Sequence, residues 1–268
     1  MLAKTEAIVL KSMKYRDTSK IVTFYTKEFG KIKGIAKGAR TAKNKFGASL
    51  EPISHSMLVF YKKEHRDLHL ISQCDVLNTH RLIAKDLNCL SHALAMLELV
   101  NTITHHEEKN FLLFDLILES LQALNDAKIQ YDTLFHAFSL RLVTIFGFHP
   151  NFEFCATCHR MIDENMTSKQ FTFEIPRGAI LCDQCRLPSV FGTHLQHENI
   201  HSIALSIQCI KIIKRMMNAS LSSLTNIKYD EQVGNEIGAL LRLYLRYHFD
   251  GLKSLKSAEI IQHLQRIN

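Results

Sequence analysis

Apolar positions in the first 80 residues fall in short runs rich in β-branched and aromatic side chains, separated by polar or glycine-bearing breaks. Five runs stand out: Thr5 to Met13, Ile21 to Tyr25, Lys31 to Ala36, Ser56 to Tyr61 and Leu68 to Val76. Each has strand length and strand composition. Between the third and fourth lies Gly38-Ala39-Arg40-Thr41-Ala42-Lys43-Asn44-Lys45-Phe46-Gly47, a basic loop bounded by glycines. Five short strands with one long basic loop predict a small barrel of the OB type.

Near residue 81 the period changes from two to between three and four. Leu87, Leu90, Leu94, Leu97 and Val100 share a helical face, and Phe111 to Ala127 and Leu134 to Phe146 repeat the pattern. Asp132-Thr133 and Gly147 supply start and stop signals for the third helix. After a cysteine-bearing segment the helical spacing returns at Ile203, Ile207, Ile210 and Lys214, then at Ile237, Leu240, Leu241, Tyr244, Leu245 and Phe249, with a last short helix from Ser257 to Leu264. The expected fold is therefore α+β: a barrel followed by a helical bundle domain with an inserted cysteine module. Its parts are residues 1–80 (barrel), 81–149 (first helical part), 150–190 (cysteine module) and 191–268 (second helical part).

Four of the seven cysteines form Cys155-x-x-Cys158 and Cys182-x-x-Cys185. Two residues between cysteines let both sulfurs of a tight turn face one ion, and two such turns give the closed tetrahedral thiolate set of structural zinc. Gln170 to Ile175 reads as a strand between them and Pro176-Arg177-Gly178 as the turn back. His149 and His159 flank the site as candidate supporting groups or substitutes for a thiolate. Three competing readings are weaker. Cys155-x-x-Cys158-His159 matches a haem-attachment string, but haem leaves the second pair unexplained; a redox pair would be expected beside a βαβ unit; and the deaminase pattern that His105-His106-Glu107 suggests lacks the proline before the cysteine pair. Cys74, Cys89 and Cys209 lie in apolar surroundings and are expected to be buried thiols.

Composition adds one informative fact. The chain of 268 residues carries 33 Lys and Arg against 26 Asp and Glu, a net +7. Residues 1–80 hold 15 of the basic and 7 of the acidic residues, a surplus of eight, so the remainder is close to neutral. A foldable segment with such a surplus points to a polyanionic partner. No export signal is visible and no apolar run is long enough to span a membrane, so the protein is expected in the cytoplasm, with its nucleic acid, and not at a membrane. Phosphate-binding loops, H-E-x-x-H and G-x-S-x-G are missing, and nothing argues for an enzyme.

With a strand period of two, Lys31, Lys33, Ile35 and Lys37 share one face of the third strand, while Ile32, Gly34 and Ala36 share the other. Arg40, Lys43 and Lys45 extend the charge into the loop, and Lys14, Arg16 and Lys20 flank the first turn. These are the candidate phosphate contacts, whose affinity would fall with salt and carry little sequence preference. Candidate stacking rings are Tyr15, Tyr25, Phe29, Phe46 and Tyr61. Tyr15 and Phe46, set among basic loop residues, are the preferred two.

These residues also carry a family likeness. Ala7-Ile8-Val9-Leu10, Tyr15-Arg16-Asp17, Thr26 to Lys31, Lys37-Gly38-Ala39-Arg40 and Phe46 to Pro52 in the first part resemble the RecO family of bacterial recombination mediators. So do Gly147-Phe148-His149-Pro150 leading to the first cysteine pair, Arg177 to Cys185, Leu241 to His248, and Leu255-Lys256-Ser257. The resemblance implies an N-terminal OB barrel, a central helical domain and a four-cysteine zinc module. It further implies binding to single- and double-stranded DNA, annealing of complementary strands, and action with RecR, and in some pathways RecF, in loading RecA onto DNA coated by single-stranded DNA-binding protein. Two departures are local: His159 stands where glycine often follows the second cysteine, and Arg177 replaces the first glycine of a common pair. Two other classes stay open on residues alone, a zinc-containing adaptor that docks proteins through its helices and an RNA-binding factor.

Overall fold

A computed structural model describes residues 1–63, 66–126, 129–163, 170–185, 202–250 and 252. The expected five-stranded barrel forms from β1 (Leu2–Tyr15), β2 (Ser19–Thr26), β3 (Gly30–Ala36), β4 (His55–Tyr61) and β5 (Leu68–Asn78). It closes in the order β1-β2-β3-β5-β4, with β3 and β5 parallel and the other pairs antiparallel. Closure removes the free edges that five short strands would otherwise expose. Ala7, Val9, Val22, Phe24, Ile32, Ala36, Leu58, Phe60 and Ile71 fill the interior. The chain divides into two compact units, one covering Met1–Tyr131 and the other Asp132–Asp250.

In the first unit the barrel is followed by a short 3-10 turn, α1 (Leu87–Ile103) and α2 (Phe111–Asn125). Polar side chains set both helix starts. Asp86 Oδ1 accepts from the Cys89 N–H at 2.8 Å, and Asn110 Oδ1 from the Leu113 N–H at 3.1 Å. Such caps satisfy amide donors that have no intrahelical partner. The buried face of α1 includes Ala93, Met96, Leu97 and Val100, and that of α2 Leu113, Phe114, Ile117 and Leu121.

The second unit contains α3 (Tyr131–Ile145), a sheet of β6 (Gln170–Glu174), β7 (Ala179–Leu181) and β8 (Ser202–Ser206), then α4 (Ile207–Asn218) and α5 (Glu231–His248). The sheet order is β7-β6-β8. Here the sequence expectation needs correction: Ile203 belongs to a strand, not to a helix. Ser202-Ile203-Ala204-Leu205-Ser206 alternates and pairs along its length with β6, Ile203 opposite Phe173. The helix begins only after Ser206, whose Oγ accepts from the Cys209 N–H at 3.1 Å. Ile203 and Ile207 share a helical spacing by coincidence, and backbone pairing to β6 overrides it. The expected helix at 257–264 lies outside the described residues. No helix among the described residues is long and apolar enough to cross a membrane.

Candidate nucleic-acid interface and metal centre

Strand register builds the basic surface. Lys14 of β1 lies opposite Lys20 of β2, and Lys20 lies opposite Ala36 of β3, next to Lys37. The turn between β1 and β2 and the loop after β3 are joined: the Arg40 N–H donates to the Thr18 carbonyl at 2.9 Å, and Arg40 Nη1 to the Arg16 carbonyl at 2.9 Å. Arg16 holds a left-handed backbone, φ 50°, and its guanidinium lies over the Tyr15 ring. Lys14, Tyr15, Arg16, Lys20, Lys37 and Arg40 thus converge on one end of the barrel. All but Tyr15 and Lys20 are exposed, and those two are partly so. Glu51 pairs with Lys20 at 2.5 Å. Like charges directly opposed across a strand pair are destabilising, and the Glu51 carboxylate offsets the Lys14–Lys20 repulsion. Lys33 is exposed in mid-strand, and Lys43 and Lys45 are exposed in the loop, where Lys45 Nζ donates to the Ser72 carbonyl.

Two candidate contacts do not take their expected places. Lys31 is on the outward side of β3 as its period requires, but it is buried, and its Nζ donates to the Asn101 carbonyl at 2.7 Å and to the Thr104 carbonyl. It caps the end of α1, where carbonyls lack intrahelical donors and a cation meets the negative end of the helix dipole. Burial, reinforced by the charge of Lys33, holds the Lys31 ammonium below its usual range. Phe46 is likewise withdrawn: its ring is 4% exposed and belongs to the barrel core, with Lys45 over it. A loop that looked polar by composition therefore carries an anchor. Tyr25 is also fully buried, with its hydroxyl directed at the Asn110 carbonyl, while Phe29 packs edge-on against Phe60.

The cysteine module is equally well defined. The Sγ atoms of Cys155, Cys158, Cys182 and Cys185 all lie within 4.8 Å of one another, and Cys158 and Cys182 are 3.7 Å apart. A tetrahedron of sulfurs around a zinc-sized ion has edges of about 3.8 Å. Each pair sits in a tight turn: the His159 N–H donates to the Cys155 carbonyl and the Cys185 N–H to the Cys182 carbonyl. The Cys182 N–H points at Cys155 Sγ, 3.4 Å away. Burial pushes the Cys155 thiol up, but backbone N–H groups of Cys158, Cys182 and Thr157 outweigh it and bring the group down to about 6. Cys185 moves the other way, to about 12, chiefly through the Cys158 side chain. Four sulfurs this close cannot all ionise without a cation among them, so the donor set fits a metal ion. His149 is exposed and meets Thr144, and among the described residues the metal-competent group consists of the four cysteines alone.

The backbone explains both family departures. His159 has φ 57°, a left-handed conformation in which glycine is free of strain and histidine is tolerated better than most residues. Gly178 is left-handed too, φ 59°, and a Cβ there would come within 2.4 Å of the Tyr244 hydroxyl. Position 178 is thus the one at which a side chain is strained, and Arg177 beside it pairs with Glu174 on the surface. Cys74, Cys89 and Cys209 are buried as expected, and burial raises all three thiols.

Comparison with known proteins matches almost the whole chain, in two segments. Residues 1–80 match the family model "Recombination protein O N terminal" and residues 84–258 match "Recombination protein O C terminal". A DNA repair protein RecO from Chloroherpeton thalassium is 32% identical over 267 residues, covering 98% of this chain and 99% of that protein. Those from Alkaliphilus metalliredigens and Thermoanaerobacter sp. are 28% and 29% identical, each covering at least 98% of both chains.

Proposed function

Because the chain belongs to the RecO family of DNA repair proteins, we propose that it is a recombination mediator that binds single- and double-stranded DNA without strong sequence preference and anneals complementary strands. The observation that carries this reading is the gathering of Lys14, Lys20 and Lys37 at one end of the barrel, with Lys14 opposite Lys20 and Lys37 following the end of β3, where Arg40 is tied to the Arg16 carbonyl. Lys33, Lys43 and Lys45 extend the surface, and Tyr15 offers a half-exposed ring beside it. Cationic side chains neutralise phosphates and release counterions, which gives affinity without base readout. Two strands held on such a surface repel one another less, and bases not gripped by specific hydrogen bonds are free to exchange into pairs. No nucleotide hydrolysis is needed, and the protein is not an enzyme. Family membership supports cooperation with RecR, and in some pathways RecF, to load RecA on DNA coated by single-stranded DNA-binding protein in the cytoplasm.

The four cysteines are proposed to hold one structural zinc ion. Four protein ligands leave no open coordination position, so the ion supplies folding free energy instead of a reactive centre. The decisive experiment is an annealing assay with labelled complementary DNA and RNA strands at two salt concentrations. Acceleration of DNA annealing that weakens at the higher salt is expected. Acceleration confined to RNA would identify an RNA-binding factor, and none with either polymer would leave a protein adaptor.

A further inference from the structure

Strand register also produces an apolar stripe on the outside of the barrel. Phe60, Ile71, Ile32, Ala36 and Val22 face the interior, so their strand neighbours Tyr61, Leu70, Ile35 and Ile21 face outward. These outward residues are cross-strand partners in sequence around the barrel: Ile21 opposite Ile35, Ile35 opposite Leu70, Leu70 opposite Tyr61, and Tyr61 opposite Leu2. One continuous line of five apolar side chains therefore crosses all five strands. Its Tyr61 end lies open to solvent, Tyr61 being 45% and Leu2 57% exposed. Four inter-strand steps make an arc of about 19 Å.

Charge decides what this stripe meets. Lys33 stands beside Ile35 on the outward face of β3 and Lys37 follows directly after the strand's end, both exposed, and Lys4 occupies the next outward position of β1 after Leu2. An apolar, partly aromatic line bordered by lysines suits a partner whose flat apolar faces alternate with anionic links, which describes an unpaired nucleic-acid strand. We propose that this stripe, with Tyr61 as its ring, is the surface on which the bases of single-stranded DNA stack while Lys4, Lys33 and Lys37 hold the flanking phosphates. The proposal rests on the DNA-binding reading above and locates the bases within it. Duplex DNA keeps its bases stacked inside and meets only the lysines.

The chain contains no tryptophan, which permits a direct test. Tyr61→Trp introduces the sole indole, and its emission should be quenched on titration with oligo(dT) and unaffected by duplex of the same length. Tyr61→Ala should weaken oligo(dT) binding roughly tenfold, leave the salt slope and duplex affinity as in the wild type, and leave the melting curve unchanged because the side chain is exposed. Tyr61→Phe should bind as the wild type. Wild-type affinity in Tyr61→Ala, or an indole that responds only to protein concentration or to an added protein partner, would overturn the stripe while leaving DNA binding elsewhere intact. Failure of the wild-type chain to bind any DNA would overturn both readings.

Discussion

A lysine at an outward strand position can end in solvent or against a helix terminus, and Lys31 takes the second course. Strand period placed it on the same face as Lys33 and Lys37, and no local signal in the sequence marks that α1, 70 residues later, ends on top of it. Lys31→Met keeps the length of the side chain and leaves the Asn101 and Thr104 carbonyls without their donor. Chemical denaturation should show a loss of about 2–3 kcal/mol, with the salt dependence of DNA binding unaltered; Lys33→Gln should do the reverse. His80 gives a second prediction at this scale. It is fully buried, neither ring nitrogen has a hydrogen-bond partner among the described residues, and burial, then the nearby His55, brings it down to about 4. The folded chain therefore binds fewer protons than the unfolded chain between pH 4 and about 6.5. Stability should rise with pH across that window by up to about 3 kcal/mol. His80→Asn, whose residue tolerates the left-handed φ of 47°, should flatten this part of a melting-temperature profile; an unchanged profile would contradict the burial of a neutral imidazole.

Among the elements, the cysteine turns are the most locally determined and β8 the least. Gly178→Ala adds a Cβ that meets the Tyr244 hydroxyl and strains a left-handed backbone, so the second unit should unfold several degrees earlier by calorimetry. His159→Gly relaxes the corresponding strain in the first turn and should be neutral or slightly stabilising. The five barrel strands, α1 to α3 and the four thiolates were all legible in the sequence, because period two, period 3.6 and the C-x-x-C spacing each report local geometry. What local pattern cannot report is pairing across the chain. Ile203 reads as helix because its partner strand, β6, lies some 30 residues earlier. Phe46 reads as a free ring because its loop is polar on both sides, yet the loop closes over the barrel core and one side chain must fill it. The stripe from Ile21 to Leu2 is invisible in one dimension, since no two of its five members are neighbours and only register aligns them.

At the scale of the whole molecule, the charge surplus of residues 1–80 becomes a surface with a shape, and the near-neutral remainder carries the cysteine module. Elemental analysis should return one zinc ion per chain, and a chelator or Cys182→Ser should lower the melting temperature; a metal-free chain of equal stability would remove the structural role. DNA is proposed to be held by phosphate neutralisation at the joined end of the barrel. The most direct test is the slope of log affinity against log salt for single-stranded DNA, measured for the wild type and for a variant with Lys14, Arg16, Lys37 and Arg40 all changed to Gln. Each lost phosphate contact should reduce the slope by about 0.7, so the variant should give a markedly shallower line and weaker binding at every salt concentration. Parallel lines of equal affinity would contradict it.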